Sequence, residues 1–381
     1  MTQSGSCTEL PRVHDLGRYK PDWPVARERM ADWFAGCLKG RPLMSIEVLR
    51  DGAEDGVPEA LRIRSTHDQY RSAELLSARY RHYCETHRFL AESFPNLDAN
   101  FGPGSLAAYL GSPLVFRPES VWFDRVVEDW SDWPEIRPLP DDPQWLEHYR
   151  LIQECQRLAA GDWLVTIPDL VENLDTLASL RGTEQLLFDL IDQPEEIERR
   201  LWELDDVYFY YYDRFYDLVH DTAGGSSFTA FRIWGPGRCA KLQCDFSAMI
   251  GPDLFRRFVQ PSLARQSARL DQVIYHLDGP DAIKHLPALL EIEGIDAIQW
   301  TPGDPNPDGT HERWYPLYEA TLAAGKRLWI PVADGDIEDW IRGCSRLVER
   351  FGATSLYLNF LTVMTQAEGE RLLETAESCW R

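Results

Sequence analysis

The sequence predicts an α/β fold, a (β/α)8 TIM barrel with a helical N-terminal extension. Along the 381 residues, short β-branched or aromatic runs alternate with helical patterns, as is typical of βα units around a parallel sheet. Hydrophobic residues make up 44% of the chain and include 14 Trp, which is enough for a large core. Because no repeat or long linker divides the chain, we expect one domain over residues 1–381, with residues 1–95 as the mainly helical extension.

The strands are predicted from short apolar runs that end in turn residues or polar groups. In chain order they are residues 43–48, 163–167, 228–234, 241–246, 272–277, 297–300, 328–332 and 355–359. This number suits a (β/α)8 barrel.

Two of the intervening helices have clear signals. After Asp281, the segment AIKHLPALLEI repeats apolar residues at helical spacing, and Gly294 follows it as a stop. A long helix is predicted after Asp192, a suitable N-cap before Pro194. We assign its aromatic stripe, which includes Tyr211, to packing rather than to a cofactor.

Charge and cysteine usage exclude several classes of function. The net charge of −23 would repel a phosphate backbone, so nucleic acid is not expected as a partner. The eight cysteines are scattered and contain no CxxC pair, as is typical of reduced thiols. No run of about 18 apolar residues occurs. We therefore expect a cytoplasmic protein without a membrane segment.

The strongest candidate for chemistry is the segment VIYHLDGP, where an apolar strand ends in His276 and Asp278. Residues two apart on a strand share a face, so both side chains are expected to point to the barrel mouth, where active sites of this fold lie. The pair could act as catalytic acid and base or as two ligands of a metal ion. Ordinary hydrogen bonding and helix capping would also explain it.

Three other strand ends supply candidate substrate-binding residues. An acidic loop follows the strand near Ile167, an Arg and aromatic pair ends the strand 228–234, and an amide precedes a Pro/Gly loop. Arg232 could grip a carboxylate or pair with Asp245. The full set is Asp169, Glu172, Asp175, Arg232, Trp234, Asp245, Gln299 and Trp300.

Three segments resemble the uroporphyrinogen decarboxylase superfamily. They are DLVENLDTLASLRGTEQLLFDLIDQPEEIERRL, CDFSAMIGPDLFRRFVQPSLARQ and YHLDGPDAIKHLPALLEIEGIDAIQW, and the likeness extends over about residues 95–375. The resemblance implies the (β/α)8 barrel without fixing the reaction.

Differences from the superfamily pattern separate its two branches. The decarboxylase branch has an N-terminal R-Q-A-G-R-Y segment, whereas this chain has only LGRYKPDW. In the corrinoid-linked methyltransferases, a His-x-Cys-Gly strand end and a late Cys hold zinc. His276, Leu277, Asp278 and Gly279 match that motif except that Asp replaces Cys, and the last strand, TSLYLNFLTVMT, has no Cys. The chain is thus nearer the methyltransferase branch.

The leading hypothesis is a methyltransferase or demethylase that acts on a small methylated substrate. His276 and Asp278 would be metal ligands or acid and base, with a divalent metal such as zinc or a corrinoid on a partner protein as cofactor. Decarboxylation of a small carboxylate substrate, with Arg232 as the clamp, and a non-catalytic ligand-binding barrel are the alternatives. The sequence leaves open whether the chain forms a homodimer.

Overall fold

The computed structural model describes residues 12, 15–53, 56–118, 120–133 and 135–381. The first eleven residues of the predicted extension therefore lie outside the described residues. The strands are β1 Leu43–Leu49, β2 His87–Ala91, β3 Asn96–Leu97, β4 Leu114–Phe116, β5 Val121–Phe123, β6 Leu164–Val165, β7 Ser226–Phe228, β8 Ile233–Gly235, β9 Cys239–Gln243, β10 Gln272–Asp278, β11 Ala297–Thr301, β12 Arg327–Val332, β13 Leu356–Phe360 and β14 Met364–Thr365.

Helices connect most of these strands. They are α1 Trp23–Ala35, α2 Thr66–Tyr70, α3 Ala73–Thr86, α4 Ser105–Tyr109, α5 Pro143–Ala159, α6 Asn173–Arg181, α7 Thr183–Asp192, α8 Pro194–Val219, α9 Pro252–Leu254, α10 Gln260–Ser267, α11 Leu286–Leu290, α12 Tyr315–Ala323, α13 Ile337–Phe351 and α14 Gln366–Cys379. None of the helices in the described part of the chain is long and apolar enough to cross a membrane.

The main sheet is parallel along the order β14-β1-β13-β12-β11-β10-β9, and β2 pairs antiparallel with β1. This arrangement confirms the predicted mixed α/β class with a parallel central sheet. Strands β1 and β2 both belong to this sheet, so the predicted extension contributes two strands as well as the helices α1, α2 and α3.

The pairing register places one row of side chains on a single face of the sheet. Gln243 is paired with His276, His276 with Gln299, Gln299 with Trp329, and Trp329 with Tyr357. Paired residues of neighbouring strands point to the same side, and the next residue along each strand points to the other. His276 therefore lies between two glutamines on one face.

Helix α1 covers the part of this face that Trp329 and Tyr357 occupy. Its Trp33 ring lies 6.0 Å from the ring of Tyr357, and both belong to one buried cluster. A larger cluster contains apolar residues of the surrounding helices, including Tyr211 of α8. The predicted packing role of the aromatic stripe on α8 is confirmed.

The prediction of one strand over residues 228–234 is wrong. Strands β7 and β8 form an antiparallel hairpin around a 3₁₀ turn, Thr229–Phe231. Arg232 ends this turn with φ 48°, in the left-handed region, so the chain reverses there. The hairpin tip packs on the face that bears His276, because the Trp329 indole donates to the Phe231 carbonyl at 2.8 Å.

Candidate metal and substrate site

Three potential metal ligands meet at the carboxyl ends of β9 and β10. Asp245, His276 and Asp278 each offer a ligand atom, and these atoms lie within 4.8 Å of one another. His276 and Asp278 are two apart on β10, which explains their common direction, whereas Asp245 follows the neighbouring strand. One imidazole and two carboxylates suit zinc or another divalent ion with nitrogen and oxygen ligands.

The chemistry of the neighbouring cysteine supports an oxygen and nitrogen donor set. Cys244, next to Asp245, is buried, and burial raises the pKa of its thiol well above the usual value. A protonated thiol is a poor metal ligand, since the thiolate is the ligating form. The cluster of ligand atoms itself contains no thiol, so the site fits a divalent ion held without a sulfur ligand.

Gln299 fixes the orientation of the His276 ring. The Gln299 Nε2 atom donates to the Trp300 carbonyl at 3.1 Å and to Thr301 Oγ1 at 2.8 Å. A carbonyl can only accept, so the amide oxygen of Gln299 must face His276 Nδ1, with which it is hydrogen bonded. Nδ1 then carries the proton, and Nε2 has a free lone pair for a metal or a proton.

Gln243 orients Asp245 from the other side of His276. The Lys241 ammonium donates to the Gln243 amide oxygen, so the amide nitrogen faces the carboxylates. Gln243 Nε2 donates to Asp245 Oδ2 at 3.0 Å and to Asp175 Oδ2 at 3.3 Å. Each of the two glutamines beside His276 thus orients one candidate metal ligand.

The predicted acidic loop surrounds this network. Asp169 lies 2.6 Å from the Lys241 ammonium, and Glu172 accepts a hydrogen bond from the Gln243 backbone amide at 2.6 Å. Asp175 accepts from the backbone amides of Asp245 and Phe246 at 2.8 and 2.7 Å. These three carboxylates therefore position β9 and the turn that carries Asp245.

The carboxyl groups of this region have altered acidity. Burial and the negative charge of Asp245 together raise the pKa of Asp175 to about 7. Burial also raises the pKa values of Glu172 and Asp245. Raised carboxyl pKa values of this kind are common at functional sites.

A cavity of about 510 Å³ opens beside the cluster. Asp175, Gln243 and Asp245 line one part of it, and Trp122 and Met249 are among its apolar residues. A small substrate with a polar and an apolar part could occupy this space.

Comparison with known proteins gives a fold but no family. No protein-family model matches the chain, and its sequence has no match among curated proteins. Among solved structures, a methyltransferase from Methanosarcina mazei matches with a TM-score of 0.60, over 93% of this chain and 98% of that one. The chain shares the fold of a methyltransferase. The identity is 13%, so this likeness establishes the fold alone.

Two of the predicted substrate-binding residues, Trp234 and Trp300, lie outside the cluster of Asp245, His276 and Asp278. Trp300 is buried with its ring 4.9 Å from Trp314, on the opposite sheet face from Gln299, because adjacent strand residues alternate. Trp234 donates to Asp221 Oδ2 at 3.0 Å and packs 5.9 Å from the ring of Trp23. Neither contact belongs to the cluster around His276.

Arg232 pairs with a different carboxylate from the one considered in the sequence. Its guanidinium lies 3.4 Å from Glu47 Oε2 and donates to the Phe360 carbonyl at 2.9 Å, rather than contacting Asp245. The hairpin turn redirects this side chain toward the end of β1.

Sequence reasoning missed the roles of Lys241 and Gln243. Both alternate along β9 with buried residues of the other face, so the KLQCD segment contained a signal for them. It also treated Asp245 as a substrate contact or a partner of Arg232 and not as a metal ligand, although Asp245 follows the strand next to His276 and Asp278.

Proposed function

We propose that the protein is a methyltransferase or demethylase that acts on a small methylated substrate at the cluster of Asp245, His276 and Asp278. The observation that carries the proposal is this three-ligand cluster, whose His276 and Asp245 are each oriented by a buried glutamine. The shared fold with a methyltransferase supports it. The substrate would enter through the cavity beside Asp245.

The three ligands would hold a divalent ion such as zinc. When bound, the ion supplies Lewis acidity that polarises the heteroatom bearing the methyl group or activates the acceptor. Gln299 accepts from His276 Nδ1 and so directs Nε2 at the site, and Gln243 holds the Asp245 carboxylate. The Lys241 ammonium adds positive charge that can stabilise a negatively charged heteroatom.

In the proposed reaction, the bond between the methyl carbon and the substrate heteroatom breaks as a bond to the acceptor forms. The heteroatom keeps the electron pair and takes up a proton. In this direction a corrinoid on a partner protein would be the methyl acceptor. In the reverse direction it would be the donor, and the heteroatom that gains the methyl group would lose its proton. Asp175, whose pKa is raised, is the proposed source of the proton that the heteroatom takes up beside the cavity.

We further infer that the strands close as a (β/α)8-type barrel within one domain. Hydrogen bonds that continue past the main sheet support this: the Ile167 amide donates to the Ser227 carbonyl at 3.4 Å, and the Cys239 amide donates to Ser226 Oγ at 2.9 Å. The Thr166 amide likewise donates to the Leu97 carbonyl at 3.0 Å. These links lead from β9 through β7 and β6 to β3.

The test begins with purified protein, in which bound metal is measured for the wild type and for His276→Ala and Asp278→Asn. The proposal expects about one divalent ion per wild-type chain and a large loss in both variants. Turnover is then screened with methylated oxygen, nitrogen and sulfur donors and a corrinoid protein as acceptor. Absence of both metal binding and methyl transfer would sink the proposal.

The same screen separates the alternatives. Release of carbon dioxide that is lost in Arg232→Ala would favour a decarboxylase. Ligand binding that survives His276→Ala and Asp278→Asn, without any turnover, would favour a non-catalytic barrel.

A further inference from the structure

A second cavity, of about 580 Å³, lies among the end of β1, helix α3 and the tip of the β7-β8 hairpin. We call it the arginine cavity because Arg79 and Arg232 both line it. None of the residues that line it belongs to the cluster of Asp245, His276 and Asp278. It is therefore a candidate binding site in its own right.

Arg232 is held at this cavity by a strained backbone. Its φ of 48° is unusual for a residue with a side chain, and such strain persists only where surrounding contacts maintain it. The Tyr357 hydroxyl donates to the Arg232 carbonyl at 2.5 Å, and the guanidinium donates to the Phe360 carbonyl at 2.9 Å. The side chain is thus fixed before any ligand arrives.

The charge of the cavity favours an anion. Its acidic residue, Glu47, accepts a hydrogen bond from the Tyr83 hydroxyl at 2.5 Å and lies 3.4 Å from Arg232. Arg79 donates to the Leu61 carbonyl, an uncharged acceptor, at 2.7 Å. Among the described residues that line the cavity, two guanidinium groups face one carboxylate, an excess of positive charge in a protein whose net charge is −23.

One wall of the cavity is aromatic. The Tyr83 ring stacks on His87 with centroids 3.8 Å apart and an interplanar angle of 16°. Tyr80 lies nearly parallel to Tyr83, with centroids 6.1 Å apart. Flat rings of this kind favour an aromatic ligand that stacks or packs edge-on.

We propose that the arginine cavity binds an aromatic carboxylate. The carboxylate would bind Arg232 and Arg79, since a guanidinium fork matches carboxylate geometry and has more N–H donors than the present contacts use. The ring would pack against Tyr80 and Tyr83. This binding depends on neither a metal ion nor methyl transfer.

The test measures binding calorimetrically with the full chain in the presence of a chelator, using 4-methoxybenzoate and its uncharged amide, 4-methoxybenzamide. We expect the acid to bind at least about tenfold more tightly than the amide, because only the acid has a negative charge that can pair with the two guanidinium groups. Arg232→Ala should weaken binding of the acid at least about tenfold. Arg256→Ala is the matched control, since Arg256 is exposed and pairs with Glu291 on the surface.

Arg232→Ala leaves Glu47 without its cationic partner and could unfold the protein. The affinity of Arg79→Ala for the acid is therefore measured as well, and circular dichroism verifies the folding of each variant. His276→Ala should leave the affinity for the acid unchanged. Equal binding of acid and amide, absence of binding, or full affinity in folded Arg232→Ala and Arg79→Ala would each overturn the proposal. Because no turnover is measured, these outcomes are independent of the proposed methyltransferase activity.

Discussion

Replacement of Gln299 by leucine tests how the candidate metal site is organised. Leucine has a similar volume but cannot accept the hydrogen bond from His276 Nδ1. The imidazole would then lose the contact that fixes its tautomer and ring direction. Removal of such a supporting group usually lowers metal affinity 10- to 100-fold, which corresponds to about 1.4 to 2.8 kcal/mol.

Metal affinity is measured for wild type and Gln299→Leu by competition with a chromophoric chelator. Gln266→Leu is the matched control, because Gln266 is also fully buried and its amide donates to the Asp205 carboxylate at 3.0 Å, outside the site. We expect the control to bind metal like the wild type. A Gln299→Leu affinity within about threefold of wild type, or an equal loss in the control, would refute the assigned role of Gln299.

Three further predictions concern stability. Burial lowers the pKa of His148 to about 4, below its unfolded value, so the free energy of unfolding should fall by up to about 3 kcal/mol as the pH drops from 6.5 toward 4. Urea unfolding of wild type and His148→Asn at pH 4.5 and 7.5 checks this. An equal loss of unfolding free energy in both proteins between these pH values would contradict it. Trp300→Ala should lower the free energy of unfolding by about 3 to 5 kcal/mol without changing metal affinity. Trp122→Ala, at a side chain that is 61% exposed, should lower it by less than about 0.5 kcal/mol. Weaker metal binding by Trp300→Ala would show that Trp300 contributes to the metal site. Gly369→Ala should destabilise the protein by about 1 to 3 kcal/mol, because its new methyl group would lie 2.3 Å from Val48 Cγ1; an unchanged melting temperature would argue against this close packing.

Local sequence patterns predicted most of the parallel sheet. Predicted strands at 43–48, 272–277, 297–300, 328–332 and 355–359 lie within one residue of the observed bounds, because each is an apolar run bounded by turn or helix signals. The region 228–234 was equally apolar but folds as a hairpin. Its reversal depends on the left-handed backbone of Arg232 and on contacts with Trp329 and Tyr357, which are distant in sequence.

Some residues of the candidate site were likewise predicted from local spacing, and others were not. His276 and Asp278 were predicted together because a strand brings every second residue to one face, and the structure places them together. Gln299 and Trp300 were both predicted as substrate contacts, yet the same alternation places them on opposite faces of the sheet. For Arg232 the sequence left open a substrate carboxylate or Asp245, and only the folded chain shows the ion pair with Glu47.

The sequence alone determined the mixed α/β class, the parallel order of most strands and the common direction of His276 and Asp278. These features depend on the spacing of residues that are close in sequence, because this spacing fixes the direction of each side chain within a single strand or helix. The tertiary structure decided that Asp245 joins the pair, that Gln243 and Gln299 flank it, and that Arg232 lies in a separate cavity. Those contacts join residues from different strands and loops, so they exist only when the sheet register and the hairpin turn are set.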